Sequence, residues 1–241
     1  MLTGLPERPD GPIRVALLTS RRAPGLDYLL REQQQQGCRY EIVVGLASEP
    51  ASAALAELQA AGVPALVHDI HALYRRRGAR LSDFAVRRQY DAATVRLLEP
   101  LDVELVVLVG YLHILTASML GAFPGRILNI HDSDLLRLGP GGVPEYRGLR
   151  ATRDALLAGE TETRSSIHLV TAEVDVGPVV ARSAAFMVPE EIRRALQDGD
   201  ARAFKAGAWA QRERMMTECW GPLLAGAIER VGEPAYATSE R

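Results

Sequence analysis

A chain of 241 residues, 47% of them hydrophobic, is long enough to bury one substantial core. Its net charge of -2 excludes a general nucleic-acid binder, which needs a basic surplus against phosphate. The two cysteines, Cys38 and Cys219, are too far apart for a disulfide scaffold or a zinc-type spacing, and no apolar run reaches the length of a membrane span. A cytoplasmic protein with no nucleic-acid, membrane or metal partner is expected. Among 28 basic residues only Lys205 is lysine, a compositional skew that carries no functional weight by itself.

Residues 1–13 lack an apolar signal core and read as a flexible leader. Residues 14–19 form a short apolar run, the pattern of a buried parallel strand. A helix is expected over 26–36, closed by Gly37, then a strand over 40–45, a helix over 51–61 and a short strand over 65–68. An arginine-dotted polar segment follows, then a helix over 83–99. Residues 105–109 give the strongest strand signal, followed by a short helix over 118–122 and a strand over 126–130. Alternating strands and helices imply a parallel, doubly wound sheet.

From Gly139 the texture changes. Residues 139–144 are a loop by composition, and 149–157 a helix ending near Gly159. Residues 165–171 and 178–185 read as an antiparallel strand pair turning through 174–177. A helix over 190–197 is broken at Asp198-Gly199-Asp200. Residues 203–231 form an amphipathic stretch interrupted near Trp220-Gly221-Pro222, and 233–241 a frayed tail. Neither an internal repeat nor a clean linker is visible, so 14–232 counts as one α/β domain with a Rossmann-type open sheet, mostly parallel with an antiparallel C-terminal addition.

The chemistry concentrates where strands end. In open α/β sheets ligands sit beyond the carboxyl ends of the strands. Asn129 and His131 end one such strand, and being two apart they project to one side. Taken singly, Asn129 is a strand-end cap and His131 a satisfied core imidazole. Together with a carboxylate, Asp175, in a downstream Gly-Pro turn they make a site suited to moving a proton while steadying a charged intermediate. His68 and His71 have no visible carboxylate partner and default to surface or core.

The motif Asn129-Ile130-His131, then Ser166-Ile167-His168-Leu169-Val170, then Asp175-Val176-Gly177-Pro178 resembles the folate-dependent formyltransferases, nearest to the glycinamide ribonucleotide branch. The likeness runs in segment order from about Arg14 to Arg182. It implies a formyltransferase-like fold and transfer of a formyl group from 10-formyltetrahydrofolate, as co-substrate, to a primary amine in one-carbon metabolism and purine biosynthesis. Asn129 and His131 would stabilise the oxyanion, with His131 as acid and Asp175 raising its proton affinity or ordering a relaying water. Leu112, His113, Ile114 and Leu115 would line one side of the pteridine pocket. Val170, Ala172, Glu173, Val174 and Gly177 would line the other. Gapless counting puts Arg87 at the family's folate-proximal arginine, with Arg88 as competitor. His168 is expected to hold the site in register rather than act as a second acid.

Two departures concern the acceptor. The ribonucleotide branch carries a Ser-Gly-x-Gly-Ser-Asn loop after its first strand, a nest of backbone N–H groups for phosphate. This chain has Thr19-Ser20-Arg21-Arg22-Ala23-Pro24-Gly25, where a proline removes a donor and two glycines are gone. Ser20, Arg21 and Arg22 are then expected to meet the acceptor through side chains. The family's Pro-Ser-Leu-Leu-Pro run is here Asp132-Ser133-Asp134-Leu135-Leu136, which adds Asp132 and Ser133 to the acceptor side. Residues 137–143 are inserted, as an expected lid. Glycinamide ribonucleotide is the first acceptor. Another small amine such as an amino sugar, hydrolysis of the formyl donor, and a non-catalytic folate- or nucleotide-binding protein stand as alternatives, and the reading leaves room for a homodimer.

Overall fold

The computed structural model describes residues 11–232, so the first ten residues of the expected leader and the whole expected tail lie outside it. Strand β1 (Ile13–Thr19) is buried along its length except at Arg14, as an interior parallel strand must be. Helix α1 (Leu26–Glu32) is shorter than its sequence pattern. Gln33 leaves the helix and accepts a hydrogen bond from the Ile42 N–H at 3.0 Å instead of extending it. Then come β2 (Tyr40–Ala47), α2 (Ala54–Ala60) and β3 (Ala65–Val67). The arginine-dotted segment is a helix, α3 (Ile70–Arg77), capped by the Asp69 side chain and closed by left-handed Gly78. Charge density hid it, because only Ile70 and Tyr74 are buried.

Helix α4 (Phe84–Leu98) starts at the Asp83 cap and leads through a 3-10 turn (Glu99–Leu101) into β4 (Leu105–Leu108), α5 (Ala117–Ala122) and β5 (Ile127–His131). After α6 (Ala151–Leu157) the chain forms β6 (Glu162–Thr163), β7 (Ser166–Leu169), β8 (Val179–Arg182) and β9 (Phe186–Met187). Helices α7 (Glu190–Gln197) and α8 (Ala201–Val231) complete the fold.

One seven-stranded sheet runs β3-β2-β1-β4-β5-β7-β8, with β6 and β9 as a separate pair. The strands from β1 to β5 pair parallel, while β7 joins β5 antiparallel and β8 joins β7 antiparallel. Strand alternation divides the core. Val15, Leu17, Leu105, Val107, Leu128 and Ile130 pack with α1 and α8, while Ala16, Leu18, Val106, Leu108 and Ile127 pack on the face that α5 covers. Asn129 and His131 share the parity of Ile127. His168 lies between Ile167 and Leu169 of the first cluster, opposite Asn129 in register, and so reaches the same face.

The expected break in the C-terminal stretch does not occur. Helix α8 runs 31 residues with Pro222 inside it. Pro222 lies on the exposed side, while buried Trp220, Leu224 and Ile228 hold the helix to the core on either side of it. Packing overrides the Gly-Pro signal.

Candidate active site

A cleft of about 610 Å³ opens at the carboxyl ends of β1, β4 and β5, and residues of α8 close one side of it. Two loops are brought together by a close approach. Gly110, at φ +66°, leaves no room for a Cβ, which would sit 2.1 Å from the Arg22 carbonyl oxygen. Beside it the Ser20 hydroxyl bonds the Ser48 hydroxyl at 2.9 Å and accepts the Leu112 N–H at 3.1 Å. Ser20 therefore ties the loops together. It is fully buried and does not line the cleft, where the sequence led us to expect it at the acceptor.

At the end of β5, Asn129 Nδ2 lies 3.1 Å from His168 Nε2. His131 Nδ1 and His168 Nε2 each lie 3.5 Å from an oxygen of Asp175. The carboxylate also accepts the Gly148 N–H at 2.8 Å. Asp175 stands at φ +57°, a conformation that asparagine and aspartate tolerate better than most L residues. Burial pushes its carboxyl up, but the His168 hydrogen bond, the His131 charge and the Gly148 N–H outweigh burial and hold it at about 2. An ionised carboxylate thus sits between two imidazoles.

The other edge of His131 is also engaged. Nε2 lies 3.2 Å from the Tyr146 carbonyl, so both ring nitrogens face oxygen acceptors. The Ser133 hydroxyl donates to the same carbonyl at 2.6 Å. If His131 turns its N–H toward a ligand, Tyr146 keeps a donor. Ser133 is buried and does not line the cleft, where it was expected to meet the acceptor; its hydroxyl is taken up by the Tyr146 carbonyl.

The face of the cleft nearest Asn129 and His131 is apolar. Leu112 and Ile114 are half exposed into it, with Leu115, Val170 and Val174. Ala172 and Gly177, expected in this wall, do not line it. Gly177 packs on the Leu169 carbonyl, where a Cβ would come within 1.8 Å, and Thr171 lines the cleft instead. Glu173 lines the rim and pairs with Arg147 at 3.0 Å. His113 is the notable polar member of the wall. Its Nε2 is buried with no partner among the described residues. Burial, helped by Arg87 and His71, lowers its pKa to about 4, so it stays neutral.

Arg87 is buried and does not line the cleft. Its guanidinium donates to the Ile114 carbonyl and the Tyr74 hydroxyl, each at 3.3 Å, and bolts the 112–115 segment from behind. Arg88 does not line the cleft either. The insert at 137–143 is not a lid. None of its residues lines the cleft; Leu138 bridges Pro144, and Arg137 binds Glu145 at 2.8 Å and Glu160, making a pinned hairpin.

The chain matches the formyl transferase family over residues 13–205. It belongs to that family. The formyl transferase likeness extends to solved structures: a glycinamide ribonucleotide transformylase 1 from Symbiobacterium toebii is 31% identical, with a TM-score of 0.63 over 85% of this chain and 86% of that one. The trifunctional purine biosynthetic protein adenosine-3 of Drosophila melanogaster is 31% identical over 82% of this chain, which spans 13% of that protein's length. A phosphoribosylglycinamide formyltransferase from Haemophilus influenzae is 36% identical over 45% of this chain and 48% of its own.

Within this formyl transferase frame, sequence reasoning missed one wall entirely. Trp209, Arg212, Met216 and Trp220 of α8 line the cleft, as do Tyr111 and Leu149. Their spacing along 203–231 puts the four α8 residues on one helix face, a legible signal that the apolar core absorbed. Asp132 pairs with Arg212, and Arg22 with Glu213 through two hydrogen bonds of 2.7 and 2.8 Å. Arg21 is largely exposed and pairs with Glu49 at 3.3 Å. Among the described residues no helix is long and apolar enough to cross a membrane.

Proposed function

We propose that this chain is an N-formyltransferase that moves the formyl group of 10-formyltetrahydrofolate to the primary amine of glycinamide ribonucleotide, in cytoplasmic purine biosynthesis. The observation that carries the reading is the ionised Asp175 held between His131 and His168 beside Asn129, at the floor of a cleft with one apolar wall. The folate would lie against Leu112, Ile114, Leu115, Val170 and Val174, with His113 at the edge of that wall.

The residues then divide the work. The amine nitrogen attacks the formyl carbon, and the carbonyl electrons move onto oxygen. His131 turns its Nε2–H from the Tyr146 carbonyl to that oxyanion, and Asp175 steadies the imidazolium. The oxyanion electrons then re-form the C=O bond as the C–N10 bond breaks, and N10 takes up the proton that the former amine nitrogen gives up, relayed through Asp175 or a water. The products are the formamide and tetrahydrofolate, so protons balance.

His168 sets the Asn129 amide. Its Nδ1–H donates to the Leu169 carbonyl at 3.0 Å, and its Nε2, 3.5 Å from Asp175 and 3.1 Å from the Asn129 amide, must carry an N–H to make the hydrogen bond that holds Asp175 ionised. With an N–H at His168 Nε2 the Asn129 amide presents its oxygen to that ring and its N–H group toward the formyl oxygen. The test is an assay of purified protein with 10-formyltetrahydrofolate, with and without glycinamide ribonucleotide. Donor consumption that depends on the amine, with a formylated product, is expected. Consumption without amine would make the chain a hydrolase, and none under either condition would overturn the reading.

A further inference from the structure

A second groove, of about 480 Å³, lies between α3 and α4 beside the carboxyl end of the edge strand β3, and it shares no residue with the cleft. Leu73, Arg76 and Arg77 of α3 line one side of it, and Gln89, Ala92, Ala93 and Arg96 of α4 the other, each set at helical spacing. The two alanines keep the α4 side open. No carboxylate lines the groove, and Arg76, Arg77 and Arg96 have no ion-pair partner among the described residues, whereas Arg75 beside them pairs with Asp69 at 3.6 Å. A groove lined by one sign of charge concentrates that field and draws in counter-ions. His68, directly after β3, lines the same groove. Tyr90 stacks on one face of its ring, with centroids 3.9 Å apart and planes 6° apart. The His68 Nδ1 lies 3.0 Å from the Thr94 hydroxyl, which itself donates to the Tyr90 carbonyl, so in the neutral ring Nδ1 carries the proton. Burial, then the charges of Arg76 and Arg96, lower the pKa of His68 and favour that neutral ring. What is left to face the groove is the second face of the ring and a lone pair at Nε2.

We propose that this groove is a second ligand site and that it takes a nucleoside diphosphate, its phosphates on Arg76, Arg77 and Arg96 and its base against His68 and Leu73. The assignment is independent of the reaction in the cleft. Its volume falls within the range of small-molecule sites, roughly 300–1,000 Å³. The charge sets the number of phosphates. One phosphate group carries about −1.5 to −2 at neutral pH, so three unpaired guanidiniums call for more than one. Each guanidinium fork can meet two phosphate oxygens, a geometry that also favours phosphate over an isolated point charge. The other half of the lining sets the rest of the ligand. A bare polyphosphate leaves Leu73 and the open face of His68 uncovered, whereas a flat base stacks on a ring already backed by Tyr90. Ring or amino N–H groups of the base then find the Nε2 lone pair and the Gln89 amide oxygen as acceptors.

Calorimetry on the full chain in a low-salt, phosphate-free buffer tests this, with ADP, pyrophosphate and adenosine as probes. ADP should bind at least tenfold tighter than either of the others. Arg76→Gln/Arg96→Gln should weaken ADP by tenfold or more. Both side chains are exposed, so this variant should fold, which a thermal melt checks. His68→Ala should weaken ADP by fivefold or more while pyrophosphate changes less than twofold, a split that a merely structural role of the ring would not produce. A phosphate-bearing probe could instead enter the cleft, so Arg22→Gln is the control and should leave ADP binding within twofold. Absence of ADP binding, or ADP binding that survives the double arginine variant, overturns the site. Loss of ADP binding in Arg22→Gln but not in the groove variant would place the ligand in the cleft and has the same consequence. Pyrophosphate binding as tightly as ADP, or an equal loss of both probes in His68→Ala, refutes the nucleoside assignment.

Discussion

At the scale of single residues, the site depends on one carboxylate kept ionised against its own burial. His131→Ala and Asp175→Asn should each lower turnover by two to three orders of magnitude, since one group stabilising a developing oxyanion is worth about 2.7–4 kcal/mol. Circular dichroism at native pH should show the fold retained. Wild-type rates in either variant would remove both residues from the mechanism. Asp175 also makes a pH prediction. Its folded pKa, about 2, lies below the ordinary 3.8, so its stabilising contribution is full above pH 4 and fades as pH falls through 2. The shift corresponds to roughly 2 kcal/mol. The stability gap between wild type and Asp175→Asn, read from urea unfolding, should therefore narrow between pH 5 and 2; a constant gap would show that the carboxylate charge contributes nothing.

At the scale of elements, Arg87 and α8 illustrate how neighbours define a segment. Arg87 holds the 112–115 wall by the Ile114 carbonyl, so Arg87→Ala should raise the KM for the folate about tenfold with kcat little changed. A charged hydrogen bond of this kind is worth roughly 1.5–3 kcal/mol. Direct contact with the reacting group would instead depress kcat, and steady-state kinetics separates the two. Pro222 sits inside a helix that continues on both sides of it. Pro222→Ala should restore a backbone bond and stabilise the protein by about 1–3 kcal/mol, the helix-interior penalty for proline being about 3. An unchanged or lowered urea midpoint would mean that the proline is accommodated without penalty. The sequence pattern located β1, β2, β4, β5 and α4 because apolar runs and an Asp cap are local signals. It missed α3, whose surface is arginine, and the β6–β9 pair, whose two-residue strands exist only through their partners.

At the scale of the whole molecule, α8 is both core and a wall of the candidate site. Met216, Trp220, Leu224 and Ile228 are buried in the cluster that covers Leu128 and Ile130. At roughly 1.5–3 kcal/mol for each large apolar side chain, these four match the 5–15 kcal/mol that holds an ordinary domain together. A chain ending at residue 205, where the family match stops, should therefore be unfolded or aggregated; a cooperative melt from that fragment would show the core to be complete without α8. The sequence by itself determined the alternating sheet, the strand ends and the Asn129, His131 and Asp175 set, because period-2 patterning, turn chemistry and a spaced motif are properties of neighbouring residues. It also marked Asp132 and the altered first loop as unusual. Only the tertiary structure decided what those residues face. Ser20 and Ser133 turned inward to hold loops, Arg87 moved behind the wall, and the 137–143 insert folded into a pinned hairpin. Arg212 came to Asp132 across 80 positions of sequence. The physical reason is that a polar side chain takes the partner that the packing of distant elements brings within reach, and local sequence carries no record of that distance.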